Sequence, residues 1–156
     1  MDSINGIPAH PLFVHLAVVA IPLLAVLGIL TVVLPAARRK LGIIVPLVGL
    51  VAVVITPLTT SAGESLEKVT RPDPVLEHHT ELGDQMIYFV APLFVAVVLY
   101  WALNSPVVMN RLPSAPAGAV RVGSIALAVV TVVFAIGAII WVYRIGDTGA
   151  ESVWLH

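Results

Sequence analysis

The sequence predicts an all-α membrane protein, folded as a four-helix transmembrane bundle. Of its 156 residues 59% are hydrophobic and only 11% are charged, whereas globular domains carry about 25% charged residues. Four apolar runs reach the roughly 17–25 residues that a helix needs to cross the hydrocarbon core, and they lack the alternating pattern of a transmembrane β-barrel. We expect one integral membrane domain over residues 1–156, with spans at about 12–35, 41–60, 82–103 and 119–145.

The few charged residues are segregated, and their placement predicts the topology. Basic residues occupy positions 38–40, between the first two runs, and Arg111 and Arg121 lie between the last two. Because cytoplasmic loops are enriched in Lys and Arg, both links are expected to be cytoplasmic. Both termini and the segment from about residue 59 to 85 are then extracytoplasmic. All nine acidic residues and all five histidines fall on that predicted side.

The two halves of the chain show a short internal similarity. Glu64 and Glu151, each followed by serine, lie where the second and fourth spans end, and His10 and His79 precede the first and third. The two hairpins have the same predicted orientation, as in a parallel repeat about an axis along the membrane normal. The bundle can therefore be interpreted as two parallel-repeat helical hairpins.

The polar residues of the extracytoplasmic end form a candidate metal site. Pro11 is expected at the first helical position, with His10 before it as an extended cap. His15 lies deeper, and an imidazole near hydrocarbon is expected to face the bundle interior. Histidine with carboxylate suits zinc, iron or copper. The expected ligands are His10, His15, Glu64 and His79, with Glu67, Asp84 and Asp147 as additional ligands or their hydrogen-bonding neighbours.

Other uses of these residues stay open. His15 and His79, on different helices, would also suit the two axial positions of a haem b in an electron-transfer protein. In a cofactor-free accessory subunit the same cluster would only tie helix ends together. The chain has no Glu-x-x-His or His-Glu-x-x-His, so the standard di-iron and zinc-peptidase spacings are not met.

Other features of the sequence exclude or disfavour several classes of function. The chain has no cysteine, which excludes disulfides and cysteine-ligated iron–sulfur clusters within it. It has no basic patch interleaved with aromatic residues, the pattern typical of nucleic-acid binding. No serine lies in a nucleophile elbow, so hydrolysis is the least favoured activity, and whether the protein is an enzyme stays open.

Four elements together resemble a family of small bacterial four-span membrane proteins of unknown function: the HPLFVH opening, AGESLE, HTELGD and the RIGDTGAESVW tail. The resemblance covers nearly the whole chain. It implies that His10, His15, Glu64, His79 and residues 149–154 match recurring positions of the family, which often has histidine in place of Asp147.

Some of these relatives are joined to Rieske iron–sulfur domains, which implies a redox setting. From the collection of histidines and acids at one end, we expect a multi-pass component of the bacterial plasma membrane that binds a transition metal and has a redox or metal-handling role. Its expected partners are the lipid bilayer and either a redox or respiratory membrane complex or further copies of the same chain.

Overall fold

The computed structural model describes residues 3–4, 7–69, 74–111 and 116–154, and the side chains of residues 12–69, 74–111 and 116–151. Two short strands, β1 (Ser3–Ile4) and β2 (Ile7–Pro8), pair antiparallel before the first helix. The other elements of this part are the helices α1 (Ala9–Val33), α2 (Pro35–Leu41), α3 (Ile44–Glu67), α4 (Pro74–Gln85), α5 (Ile87–Asn104), α6 (Pro106–Met109) and α7 (Ala117–Trp154).

Within the described residues, four helical segments are long and apolar enough to cross a membrane. They are Leu12–Val33, Ile44–Glu67, Pro74–Asn104 and Ala117–Glu151. The predicted all-α fold with four membrane-length helices is thus confirmed. The helices run further than the apolar stretches alone indicate: α3 passes residue 60 to end at Glu67, and residues 74–85 form α4 where a loop was expected. Hydropathy identifies only the segments that lie in the hydrocarbon core, and helices α3 and α4 extend beyond that core.

The four long helices pack as a ring. α1 and α5 each pack against both α3 and α7, while the diagonal contact between α1 and α5 is small. Leu24, Val45 and Leu93 are fully buried at the centre. Large apolar side chains also cover the outside, and Val19 is 63% exposed. Such a surface is unfavourable in water and suits contact with acyl chains.

The link between α1 and α3 contains the short helix α2. Leu34 is extended, the conformation preferred before proline, and Pro35 begins the helix. The helix ends at Gly42, which has a φ of +45° and donates its N–H to the Arg38 carbonyl at 3.3 Å. We call the end of the bundle formed by residues 34–43, 104–111 and 116–121 the basic end, and the opposite end, which carries α4, the acidic end.

Small residues let α7 approach its neighbours closely. Thr131, Ala135 and Ala138 recur at spacings of four and three and are fully buried. Gly28 of α1 lies opposite this stripe, because a Cβ added there would be 3.2 Å from Cγ2 of Thr131. Close approach of this kind is how helices gain packing energy in lipid.

We predict that Gly137→Ala destabilises the bundle. A Cβ at Gly137 would lie 2.7 Å from Cδ1 of Phe89, and that ring packs on Trp141 with the ring centroids 4.9 Å apart. Overpacking costs about 1–3 kcal/mol of the free energy of unfolding. The expected result is a lower thermal midpoint of the detergent-solubilised protein, followed by far-ultraviolet circular dichroism.

Gly146→Ala is the matched control on the same helix. A Cβ there would meet no atom within 4 Å, and alanine favours a helix over glycine. A Gly137→Ala protein as stable as Gly146→Ala would contradict the tight contact between α5 and α7.

Candidate metal site at the acidic end

Helix α4 is fixed on α7 at the break between α4 and α5. Met86 donates its N–H to the Gly83 carbonyl at 3.0 Å, three residues back instead of four, so the Leu82 carbonyl is available to another donor. Trp141 of α7 donates its Nε1–H to that carbonyl at 3.0 Å. Since an unpaired carbonyl at this buried residue would cost free energy, the indole both satisfies the backbone and docks α4.

The ring of Trp141 also contacts the guanidinium group of Arg144. Cζ of Arg144, one helical turn further along α7, lies 4.7 Å from the ring centroid, within the range of a favourable cation–π contact. Asp147 follows Arg144 on the exposed side of the helix. In the part of the chain that the structure describes, the guanidinium contacts this indole and forms no ion pair with Asp147.

His79 is the predicted ligand whose surroundings are most closely defined. It lies half-buried on α4, and its Nδ1 is 3.2 Å from Oγ1 of Thr148 on α7. Gly149 leaves room for the ring, because a Cβ there would be 2.9 Å from Cε1 of His79. Two successive residues of α7 therefore hold the imidazole in place.

The hydrogen bonds of Thr148 favour one tautomer of His79. The threonine hydroxyl donates to the Arg144 carbonyl at 3.1 Å, with the Ile145 carbonyl at 3.2 Å. A hydroxyl has a single hydrogen to donate, so when that hydrogen goes to one of these carbonyls the hydroxyl oxygen accepts from the imidazole. In that arrangement Nδ1 of His79 is protonated and the lone pair is on Nε2, the nitrogen through which this tautomer would bind a metal.

Two predicted carboxylates of α3 act electrostatically on a third, Asp84 of α4. Glu64 and Glu67 are three residues apart on α3, which places them on one side of that helix. Their charges both act on the Asp84 carboxylate of α4, with Glu64 having the larger effect. Glu64 and Asp84 are exposed and Glu67 is half-buried. Like charges repel, so these carboxylates make this end of the bundle strongly acidic.

His10 does not precede the first helix, and that expectation is wrong. Helix α1 already begins at Ala9, so His10 and Pro11 are in its first turn. Proline is tolerated there because the first N–H groups of a helix have no intrahelical partner. The side chain of His10 lies outside the described residues, so its predicted role as a ligand stays a prediction.

His15 is exposed, where the sequence led us to expect a side chain facing the interior. The reason is the register of α1, whose buried residues include Ala17, Ala20 and Leu24. A residue two positions before Ala17 is rotated from it by about 200° around the helix axis. Among the described side chains, no group of three His, Asp or Glu residues is arranged to hold a metal ion.

The comparison with protein families gives one match. Residues 6–156 fit the family described as "Predicted membrane protein (DUF2231)". The chain belongs to the DUF2231 family. The matched residues include all four spans and every predicted ligand. The description of the family as membrane proteins agrees with the resemblance to a four-span membrane family that the sequence indicates. No curated protein and no solved structure matches this DUF2231 chain.

Sequence reasoning missed two residues that shape the site of this DUF2231 protein. Trp141 lies in an apolar span, and the signal that could identify it is that the N–H of a buried indole usually needs an acceptor. Thr148 lies in the tail motif, and nothing in the local sequence shows that it meets a histidine 69 positions earlier. That pairing arises from the packing of α4 on α7.

We predict that Trp141→Phe loosens α4 of this DUF2231 protein. Phenylalanine keeps a ring on Phe89 but cannot donate to the Leu82 carbonyl, and an unsatisfied buried acceptor costs about 1–3 kcal/mol. Hydrogen exchange followed by mass spectrometry should show faster exchange over residues 74–85. Tyr143→Phe is the control, because Tyr143 lies on the same helix and is 73% exposed; equal exchange in both variants would contradict the docking role of Trp141.

Proposed function

We propose that this protein binds a transition metal ion at its acidic end, on the extracytoplasmic side of the membrane, in a redox or metal-handling role. The observation that carries the proposal is the contact of His79 with α7, in which Nδ1 lies 3.2 Å from Oγ1 of Thr148. In the tautomer that donates from Nδ1 to this oxygen, the lone pair is on Nε2. A second hydrogen bond that sets tautomer and ring orientation is typical of metal-binding histidines.

The neighbouring carboxylates support the proposal on electrostatic grounds. The charges of Glu64 and Glu67 act on the Asp84 carboxylate, and a metal cation would relieve this repulsion. Oxygen and imidazole ligands together suit zinc, iron or copper. Glu64 and Asp84 are exposed, so a cation from solvent can reach them.

His10, His15 and Asp147 remain proposed additional ligands. Asp147 directly precedes Thr148 on α7, and Thr148 contacts His79. His10 and His15 are both on α1, five residues apart. Because such positions differ by about 140° around a helix, at most one of them is expected to bind the same ion as His79.

The geometry favours a metal ion over haem b, and a cofactor-free subunit is the second candidate. A haem b held by His15 and His79 needs both imidazoles to face one apolar slot, and His15 is exposed. A cofactor-free accessory subunit is supported by the same contact between His79 and Thr148, which joins α4 to α7 without any ligand. Metal content and absorption spectra separate these candidates.

We predict that His79→Ala removes most of the metal bound to the purified protein. The parent, loaded with zinc or iron in detergent and desalted, should retain about one ion per chain by elemental analysis, since an imidazole ligand is central to such sites. His78→Ala is the matched control, because His78 is the adjacent, exposed residue of α4. The Thr148→Val protein should bind metal about tenfold more weakly, because it loses the hydrogen bond to His79.

A parent protein that retains neither metal would overturn the proposal. If His79→Ala and Thr148→Val instead lower the thermal midpoint while the parent binds no metal, the cofactor-free function is the correct one. A Soret band in protein expressed with excess haem would favour haem b.

We predict that the acidic end is extracytoplasmic. The chain has no cysteine, so Glu81→Cys and Arg39→Cys each introduce a unique thiol at an exposed residue, one at each end. In intact bacterial cells with a permeable outer membrane, a membrane-impermeant maleimide should label Glu81→Cys, while Arg39→Cys should react only after lysis. The opposite labelling pattern would reverse the proposed orientation.

A further inference from the structure

The basic end contains a cavity that is separate from the candidate metal site. Its volume is about 590 Å³, and it is lined by residues of α1, α2, α5, α6 and α7. That volume lies within the range of small-ligand sites. The long helices run the length of the bundle, so the cavity and the acidic end are on opposite sides of the membrane-spanning region.

Arg38 lines one wall of the cavity, and hydrogen bonds hold its side chain in place. Arg38 donates from Nη1 to Oη of Tyr100 at 2.7 Å and to Oδ1 of Asn104 at 3.3 Å. Asn104 in turn donates from Nδ2 to Oγ of Ser124 at 3.2 Å. This network joins α2, α5 and α7. Within the described part of the chain, Nε and Nη2 of Arg38 take part in no hydrogen bond, so these donors are available to a ligand.

A second arginine, Arg121 of α7, also lines the cavity and is exposed. No acidic residue occurs between positions 3 and 63 or between positions 85 and 146. The segments that form the basic end therefore contain no carboxylate that could neutralise the two guanidinium groups. Guanidinium groups bind phosphate oxygens through paired hydrogen bonds, and an anion of this kind is the expected ligand.

The rest of the lining is apolar and leads into the hydrocarbon region. Val32 near the end of α1 and Ile125 and Ala128 of α7 all line the cavity. Ala128 lies about 10 Å along α7 from Arg121 at the helical rise. Arginines at the mouth and apolar side chains further along the membrane normal match a ligand with a phosphate group and an acyl chain.

We propose that this cavity binds the phosphate group of an anionic phospholipid from the surrounding leaflet. Arg38 and Arg121 contact the phosphate, and Val32 and Ile125 contact the first part of an acyl chain. Inorganic phosphate offers the same anionic oxygens without the chain, so the apolar wall is what favours the lipid. The site would anchor the basic end to the anionic leaflet and does not depend on metal binding at the acidic end.

The test measures lipid binding to the delipidated full-length protein in neutral detergent, by native mass spectrometry and by the shift in thermal midpoint. The probes are phosphatidylglycerol, phosphatidylcholine and sodium phosphate. Arg121→Gln should weaken phosphatidylglycerol binding about fivefold, the effect of one arginine on an anionic lipid. Arg39→Gln is the matched control, since Arg39 is an exposed basic residue of α2 that does not line the cavity.

Specific retention of phosphatidylglycerol over phosphatidylcholine, reduced by Arg121→Gln and unchanged by Arg39→Gln, supports the proposal. Equal retention of the two lipids overturns it, as does an equal loss in both variants, which would indicate diffuse attraction to the basic end. Stabilisation by sodium phosphate as large as that by the lipid also overturns it, because the ligand would then be a free anion.

Discussion

The need to pair every backbone polar group away from water governs how this bundle is built. In the hydrocarbon region a helix satisfies its own peptide groups, and any break in the helix requires another donor. The break at Met86 frees the Leu82 carbonyl, and the Trp141 indole supplies that donor from α7. The docking of α4 follows from this bond, and α4 carries His79 to Thr148 and Gly149.

The two ends of the bundle have opposite chemistry because the spans between them carry few charges. At the acidic end, histidine and carboxylate side chains lie on α3, α4 and α7, where we propose a cation site. At the basic end, Arg38 is held by Tyr100 and Asn104 beside a cavity that favours an anion. A charge in hydrocarbon is costly, so polar groups collect at the ends, where water and lipid headgroups solvate them.

Much of the fold follows from the sequence, whereas the ends of its helices do not. Hydropathy predicts four helices because crossing the hydrocarbon requires long apolar runs. It misses α4, whose polar residues lie outside that core and whose helix is stabilised by packing on α3 and α7. It also misplaces the start of α1, since a proline such as Pro11 is compatible with several positions of the first turn.

By itself the sequence determined that the protein lies in a lipid bilayer, that it has four spans, and that histidines and acidic residues collect at one end. These depend on composition and order along the chain, which the hydrophobic effect and the cost of burying charge translate directly into topology. Only the tertiary structure decided that His79 meets Thr148, that His15 is on an exposed face, and that Arg38 and Arg121 line one cavity. Such contacts join residues far apart in sequence, and they depend on the rotation of each helix about its axis, which packing sets.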